Sequence, residues 1–124
     1  TTVGKTMIIR IAIFLGLLVS SAAASAGELI WHFRSEHSGV INLEFYSQNR
    51  NHVWPGNNQV YVIDDGNVHD YALECNSGEK ICYGAWLRSD SSSYWGSGYG
   101  GEQRCDSCCF TCDGGPTNVM VLNR

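Results

Sequence analysis

Four of the six cysteines fall in one eight-residue run, Cys105-Asp-Ser-Cys108-Cys109-Phe-Thr-Cys112, and the other two, Cys75 and Cys82, stand upstream of it. A chain that opens with an export signal and then concentrates its thiols in this way is made for an oxidising space, where sulfurs become cross-links. A domain of about a hundred residues can form one core, though a thin one, and disulfides commonly supplement cores of that size. The compartment follows from this pattern. An activity does not.

The signal is read from three parts. Lys5 and Arg10 give a positive start, Ile11 to Val19 is an apolar stretch interrupted only by Gly16, and Ala24-Ser25-Ala26 is a small-x-small cleavage signature. The first methionine is Met7, a candidate true start. The apolar stretch is too short to cross a bilayer, which takes about 20 residues. The expectation is a signal peptide over 1–26, cleaved after Ala26, and one β domain over 27–124 in the periplasm or outside the cell. The rival reading is a retained N-terminal anchor. No cysteine stands just after the cleavage point, so a bacterial lipid anchor has no acceptor thiol and no stable membrane anchor is expected after cleavage.

Removing Lys5 and Arg10 with the signal leaves six basic against twelve acidic side chains, a formal charge of −6. Phosphate backbones and anionic lipid surfaces repel such a domain, and its arginines are scattered along the chain. Nucleic acid is therefore not an expected partner.

From residue 27 onward the apolar pattern repeats every two residues more often than every 3.6. Strands are predicted over 28–34, 40–47, 59–64, 67–75, 80–88, 93–96 and 118–123. Turn chemistry separates them at Ser38-Gly39, Pro55-Gly56-Asn57-Asn58, Asp65-Gly66 and Ser77-Gly78. The predicted fold is all-β, a small antiparallel sandwich or rolled sheet with a disulfide-rich C-terminal segment. Two hairpins are expected. Around Asp65-Gly66 the first sets Val60 opposite Tyr71 and puts Val60, Val62, Tyr71 and Leu73 on the core face, with His69 at the rim as a solvated side chain. Around Gly78-Glu79 the second sets Cys75 opposite Cys82, at a separation a disulfide tolerates.

The cysteine run admits three readings. Four thiolates suit zinc, but a single run spreads them along the chain, whereas structural zinc sites draw their Cys-x-x-Cys pairs from separate segments. A redox dithiol needs a helix start after a strand, and no βαβ pattern is visible. The preferred reading is a disulfide knot in which neighbours Cys108 and Cys109 bond different partners. The disulfide set is then Cys75, Cys82, Cys105, Cys108, Cys109 and Cys112, with no metal and no cofactor.

Before the run lies a Ser/Gly stretch carrying Tyr94, Trp95 and Tyr99. Recognition loops use this composition, because Ser and Gly adapt while Tyr and Trp add contact area at small entropy cost. The bland alternative is that the rings pack inward. If exposed, Tyr94, Trp95 and Tyr99, with Trp86 and Trp54 nearby, form a candidate ligand-binding set for a glycan or a protein.

Enzyme signatures fail. Trp95-Gly-Ser97-Gly98-Tyr99 lacks the flanking glycines of a nucleophile elbow. His32 to His37 is not a zincin spacing, and Asp64-Asp65-Gly66-Asn67 lacks that of an EF-hand loop. His52 stands in a polar loop without a paired carboxylate. The reading leans to a non-catalytic module and names no catalytic residue. Thiolate zinc binding by the Cys105–Cys112 cluster, or a small periplasmic hydrolase, are the alternatives.

Gly78-Glu-Lys-Ile-Cys82-Tyr-Gly-Ala-Trp86, Tyr94-Trp95-Gly-x-Gly98 and Cys105-x-x-Cys-Cys-x-x-Cys112 together resemble a group of small secreted bacterial proteins, over about the whole mature chain. The resemblance implies bacterial export and ties the three motifs into one module. It carries over no activity and no functional residue.

Overall fold

The computed structural model describes residues 26–123. The expected signal segment, Ala26 apart, and the candidate start Met7 lie outside the described residues. Among the described residues nine strands form two packed sheets: β1 (Ala26–Ser35), β2 (Ile41–Ser47), β3 (Val53–Trp54), β4 (Tyr61–Ile63), β5 (His69–Asn76), β6 (Lys80–Leu87), β7 (Asp90–Gly96), β8 (Cys109–Thr111) and β9 (Val119–Leu122). The smaller sheet has the order β5-β1-β9. The larger runs β3-β2-β6-β7, with β4 also on β2 and β8 also on β6. Pairing is antiparallel throughout except between β1 and β9, which run parallel from His32 opposite Val119.

The two-residue period sets the layers. Leu29, Trp31 and Phe33 of β1 face Ile41, Leu43 and Phe45 of β2, with Leu73, Ile63, Ile81 and Leu122 closing the same buried cluster. Alternate residues of each strand point the other way, so each sheet has one apolar and one mixed face. Trp31 sits at the centre, 5.1 Å from the ring centres of Phe45 and Phe110, and its indole Nε1 has no hydrogen-bond partner. An unmet buried donor costs about 1–3 kcal/mol, so the aromatic packing is what holds this residue in place.

Neither expected hairpin exists. β4 pairs with β2, setting Ile41 opposite Ile63, while β5 pairs with β1, setting Leu29 opposite Leu73. The bend around Asp65-Gly66 therefore carries the chain from one sheet to the other. Asp65 stabilises it, accepting hydrogen bonds from the Asn67 amide at 2.9 Å and pairing with His69 Nε2 at 2.7 Å, and those bonds lower its pKa. With the strands in different sheets, Tyr61 and Ile63 turn inward and Val62 is left 39% exposed, the reverse of the expected face. β4 and β5 share no ladder, so the hairpin's facing does not carry over to β4, whereas Leu73 of β5 lies in the core and Tyr71 packs against it as expected.

The turn at Ser77-Gly78 also joins the two sheets, since β6 pairs with β2 rather than β5. Cys75 consequently bonds Cys112, not Cys82, and Cys82 bonds Cys109 directly opposite it on β8. Cys105 bonds Cys108, leaving no free cysteine. The first of these bridges links β5 of the small sheet to the chain leaving β8 in the large one. It is a covalent tie across the sandwich.

Glu79 fastens the same end. Its carboxylate is 3% exposed and accepts hydrogen bonds from Arg50 Nε at 2.6 Å, from the Asn76 amide at 2.9 Å and from the Ser47 hydroxyl. Arg50 leads the causes that pull its pKa down to about 2. A carboxyl whose folded pKa lies below its unfolded value stabilises the fold above the unfolded value, and that contribution fades as pH falls towards the folded one. Glu79→Gln is therefore expected to cost about 3 kcal/mol at neutral pH. The gap between variant and wild type should close between about pH 4.5 and pH 2, as denaturant melts across that range would show. A gap that stays constant with pH would mean that the ionised carboxylate is not what matters.

Candidate functional site

The outer side of the large sheet carries a loop whose path is set by one residue. Tyr83 accepts a hydrogen bond from the Ser97 amide at 2.9 Å on its carbonyl and donates its own amide to the Cys108 carbonyl at 3.0 Å. Residues 97–108 thus leave the end of β7, and both their ends meet β6 at Tyr83, as a compact Ω-type excursion with adjacent ends. Ser97 Oγ adds a bond to the Tyr83 carbonyl at 2.9 Å, and Gln103 donates its amide to the Ser97 carbonyl at 2.9 Å. Cys105–Cys108 and Cys82–Cys109 lock the returning end.

Gly84 lets the excursion lie flat. A Cβ there would stand 2.2 Å from the Gly98 carbonyl oxygen and 2.8 Å from the Tyr46 ring. The loop then brings Tyr99 edge-on to Trp86, ring centres 5.1 Å apart. Tyr94 lies opposite Trp86 on β7, and its ring borders Gly98. Trp86 is 4% exposed, Tyr94 45% and Tyr99 58%. Three of the five residues read as a binding set are thus gathered on one face.

The other two are placed elsewhere. Trp95 follows Tyr94 on the same strand and so points to the other face, where its Nε1 donates to the Asn123 carbonyl at 2.9 Å and its ring meets His37 edge-on. Trp54 is buried on the short edge strand β3, its Nε1 donating to the Glu74 carbonyl at 3.0 Å. His52 stands edge-on to it and the Arg50 guanidinium lies over it at 5.7 Å. A cleft of about 1010 Å³ opens beside Trp54, but Arg50, one of its lining residues, is bound to Glu79.

A second cleft, of about 470 Å³, has Gly100 of the loop in its wall together with Glu44, Tyr46, His52, Asn57 and Asn58. Tyr46 donates its hydroxyl to Glu44 Oε1 at 2.9 Å. Burial raises the pKa of the Glu44 carboxyl, and burial with the neighbouring carboxylate raises that of the Tyr46 phenol. Asn57 and Asn58 both adopt left-handed backbone, φ 58° and 60°, which asparagine tolerates better than most residues. Sequence reasoning passed over Glu44 and Tyr46. Their outward, alternating place on β2 was legible, but their meeting with a loop some fifty residues on was not.

For catalysis the arrangement offers little. His32 pairs with Asp70 at 2.6 Å and His69 with Asp65, and among the described residues no hydroxyl or thiol is hydrogen-bonded to either ring. Ser97, the residue of the Gly-Ser-Gly stretch, is buried and spends its hydroxyl on the Tyr83 carbonyl. The sulfurs of Cys82, Cys108 and Cys109 lie within 4.8 Å of one another. Cys112, which the sequence placed with the run, is in the bridge to Cys75 instead. Among the described residues no helix is long and apolar enough to cross a membrane.

Comparison of the chain with protein-family models, with curated proteins and with solved structures finds no match.

Proposed function

We propose that the protein is an exported, disulfide-held recognition module that binds a glycan on the outer face of its larger sheet. The observation that carries this reading is the pair of exposed phenol rings, Tyr94 and Tyr99, set against buried Trp86 on a loop fixed by two disulfides. Rigid aromatic rings offer flat apolar area with little entropy to lose on binding. A sugar presents a C–H face that packs on such rings and a rim of hydroxyls that needs donors and acceptors. The neighbouring cleft supplies them through Glu44, Asn57 and Asn58. Export is part of the same reading: cleavage after Ala26 takes only the first residue of β1, and three disulfides suit a periplasmic or extracellular setting.

Trp86 is a built-in reporter, because Tyr99 contacts its ring. Titrating soluble glycans while following tryptophan emission should give saturable binding to at least one. Tyr99→Ala is expected to weaken it tenfold or more while thermal stability stays within about 1 kcal/mol, as for surface positions generally. A panel with no binding, or a binder indifferent to both Tyr99→Ala and Tyr94→Ala, would remove this function.

A further inference from the structure

Beyond that surface, the geometry points to a second kind of site: we infer that Cys82, Cys105, Cys108 and Cys109 form one tetrathiolate site for zinc in the chain whose cysteines are not yet oxidised. Three observations on the sulfurs support it. Cys108 Sγ lies 3.9 Å from Cys109 Sγ although the two are not bonded to each other. Sulfurs around one tetrahedral zinc are about 3.8 Å apart, given Zn–S bonds near 2.3 Å. Cys82 Sγ is within 4.8 Å of both, and Cys105, outside that close trio, is bonded to Cys108, so its sulfur needs only to turn in from one bond away to be the fourth ligand.

The chain path also suits the metal. Structural zinc sites take ligands from separate segments. Cys82 comes from the central strand β6, while Cys105, Cys108 and Cys109 come from the end of the Ω-type excursion that returns to β6 at Tyr83. The objection to four ligands from the single run therefore falls, because Cys112 is replaced by Cys82. Cys82 and Cys108 are buried, so the ion would be shielded from water on that side. Disulfides and zinc are alternative occupants of the same four sulfurs. The newly made chain carries thiols and needs no reductant to bind the ion, which displaces up to four protons as the thiolates form. A disulfide oxidant then exchanges with the thiolates, accepting two electrons for each disulfide formed and being reduced to two thiols; the protons left the cysteines when the metal bound, and the zinc ion is released.

The test uses the full chain, reduced with a phosphine that takes oxygen from water and leaves two thiols per bridge. After anaerobic removal of the reagent, Co(II) serves as the probe for zinc. Expected is one Co(II) per chain, with sulfur-to-metal charge-transfer absorption and tetrahedral bands that Zn(II) abolishes. Cys82→Ser and Cys105→Ser should each weaken the affinity tenfold or more, while Cys112→Ser and Cys75→Ser leave it within about twofold. Circular dichroism should show β-structure in the metal-loaded chain. An absent tetrahedral signal would overturn the inference. So would loss in Cys112→Ser with retention in Cys82→Ser, or equal binding by all variants to an unfolded chain.

Discussion

Gly84→Ala is expected to cost about 3 kcal/mol, the upper end for an overpacked site, and to lift the excursion that carries Tyr99 off the sheet. The added methyl would meet the Gly98 carbonyl oxygen at 2.2 Å, and backbone cannot step aside as the end of a side chain can. Nor can β6 retreat, since Gly84 is paired with Glu44 on one side and with Gly96 on the other. Thermal melting should register a fall of roughly 10 to 20 °C for a domain of this size. Gly78→Ala is the control. Its φ of +84° disfavours alanine, but nothing stands within 4 Å of the new atom, so a cost near 1 kcal/mol is expected. Similar losses in the two variants would mean that the loop does not rest on Gly84.

The second large effect is expected from Cys75→Ser combined with Cys112→Ser. In the chain-entropy account the benefit of a cross-link grows with the loop it closes, and Cys75 and Cys112 are 37 residues apart. Because Cys82–Cys109 already closes most of that span, the additional loop runs only from Cys75 to Cys82 and from Cys109 to Cys112. A loop of about ten residues corresponds to about 3 kcal/mol. The backbone at the junction depends on the same bridge, for Cys112 donates its amide to the Glu79 carbonyl at 2.7 Å and accepts from Gly78. Guanidinium unfolding should therefore show a lower midpoint for the double variant and a larger surface-exposure slope, since its unfolded chain is less constrained. An unchanged midpoint would show that the two sheets hold together without this tie.

Strand positions were legible because burial on one face writes itself into alternation, as in Leu29, Trp31 and Phe33 or Ile41, Leu43 and Phe45. The short strands β3 and β8 were missed, since Val53-Trp54 and Cys109–Thr111 are too brief to show a period. Pairing was misread for a different reason. Asp65-Gly66 and Ser77-Gly78 reverse the chain equally well inside a sheet or between sheets, and the choice depends on partners far along the chain. The disulfide partner of Cys75 followed from that choice. On the candidate site, the alternation of β7 already separates Tyr94 from Trp95. The approach of Tyr99 to Trp86 required the Ω-type path, which rests on the fit between Gly84 and Gly98.

The central claim is that the C-terminal segment is stapled across the sandwich and along β6, and so fixes the aromatic face. Proteolysis of the non-reduced protein, followed by mass spectrometry of the linked peptides, tests it most directly. The account predicts Cys75 joined to Cys112, Cys82 to Cys109 and Cys105 to Cys108. A peptide joining Cys75 to Cys82 would contradict it.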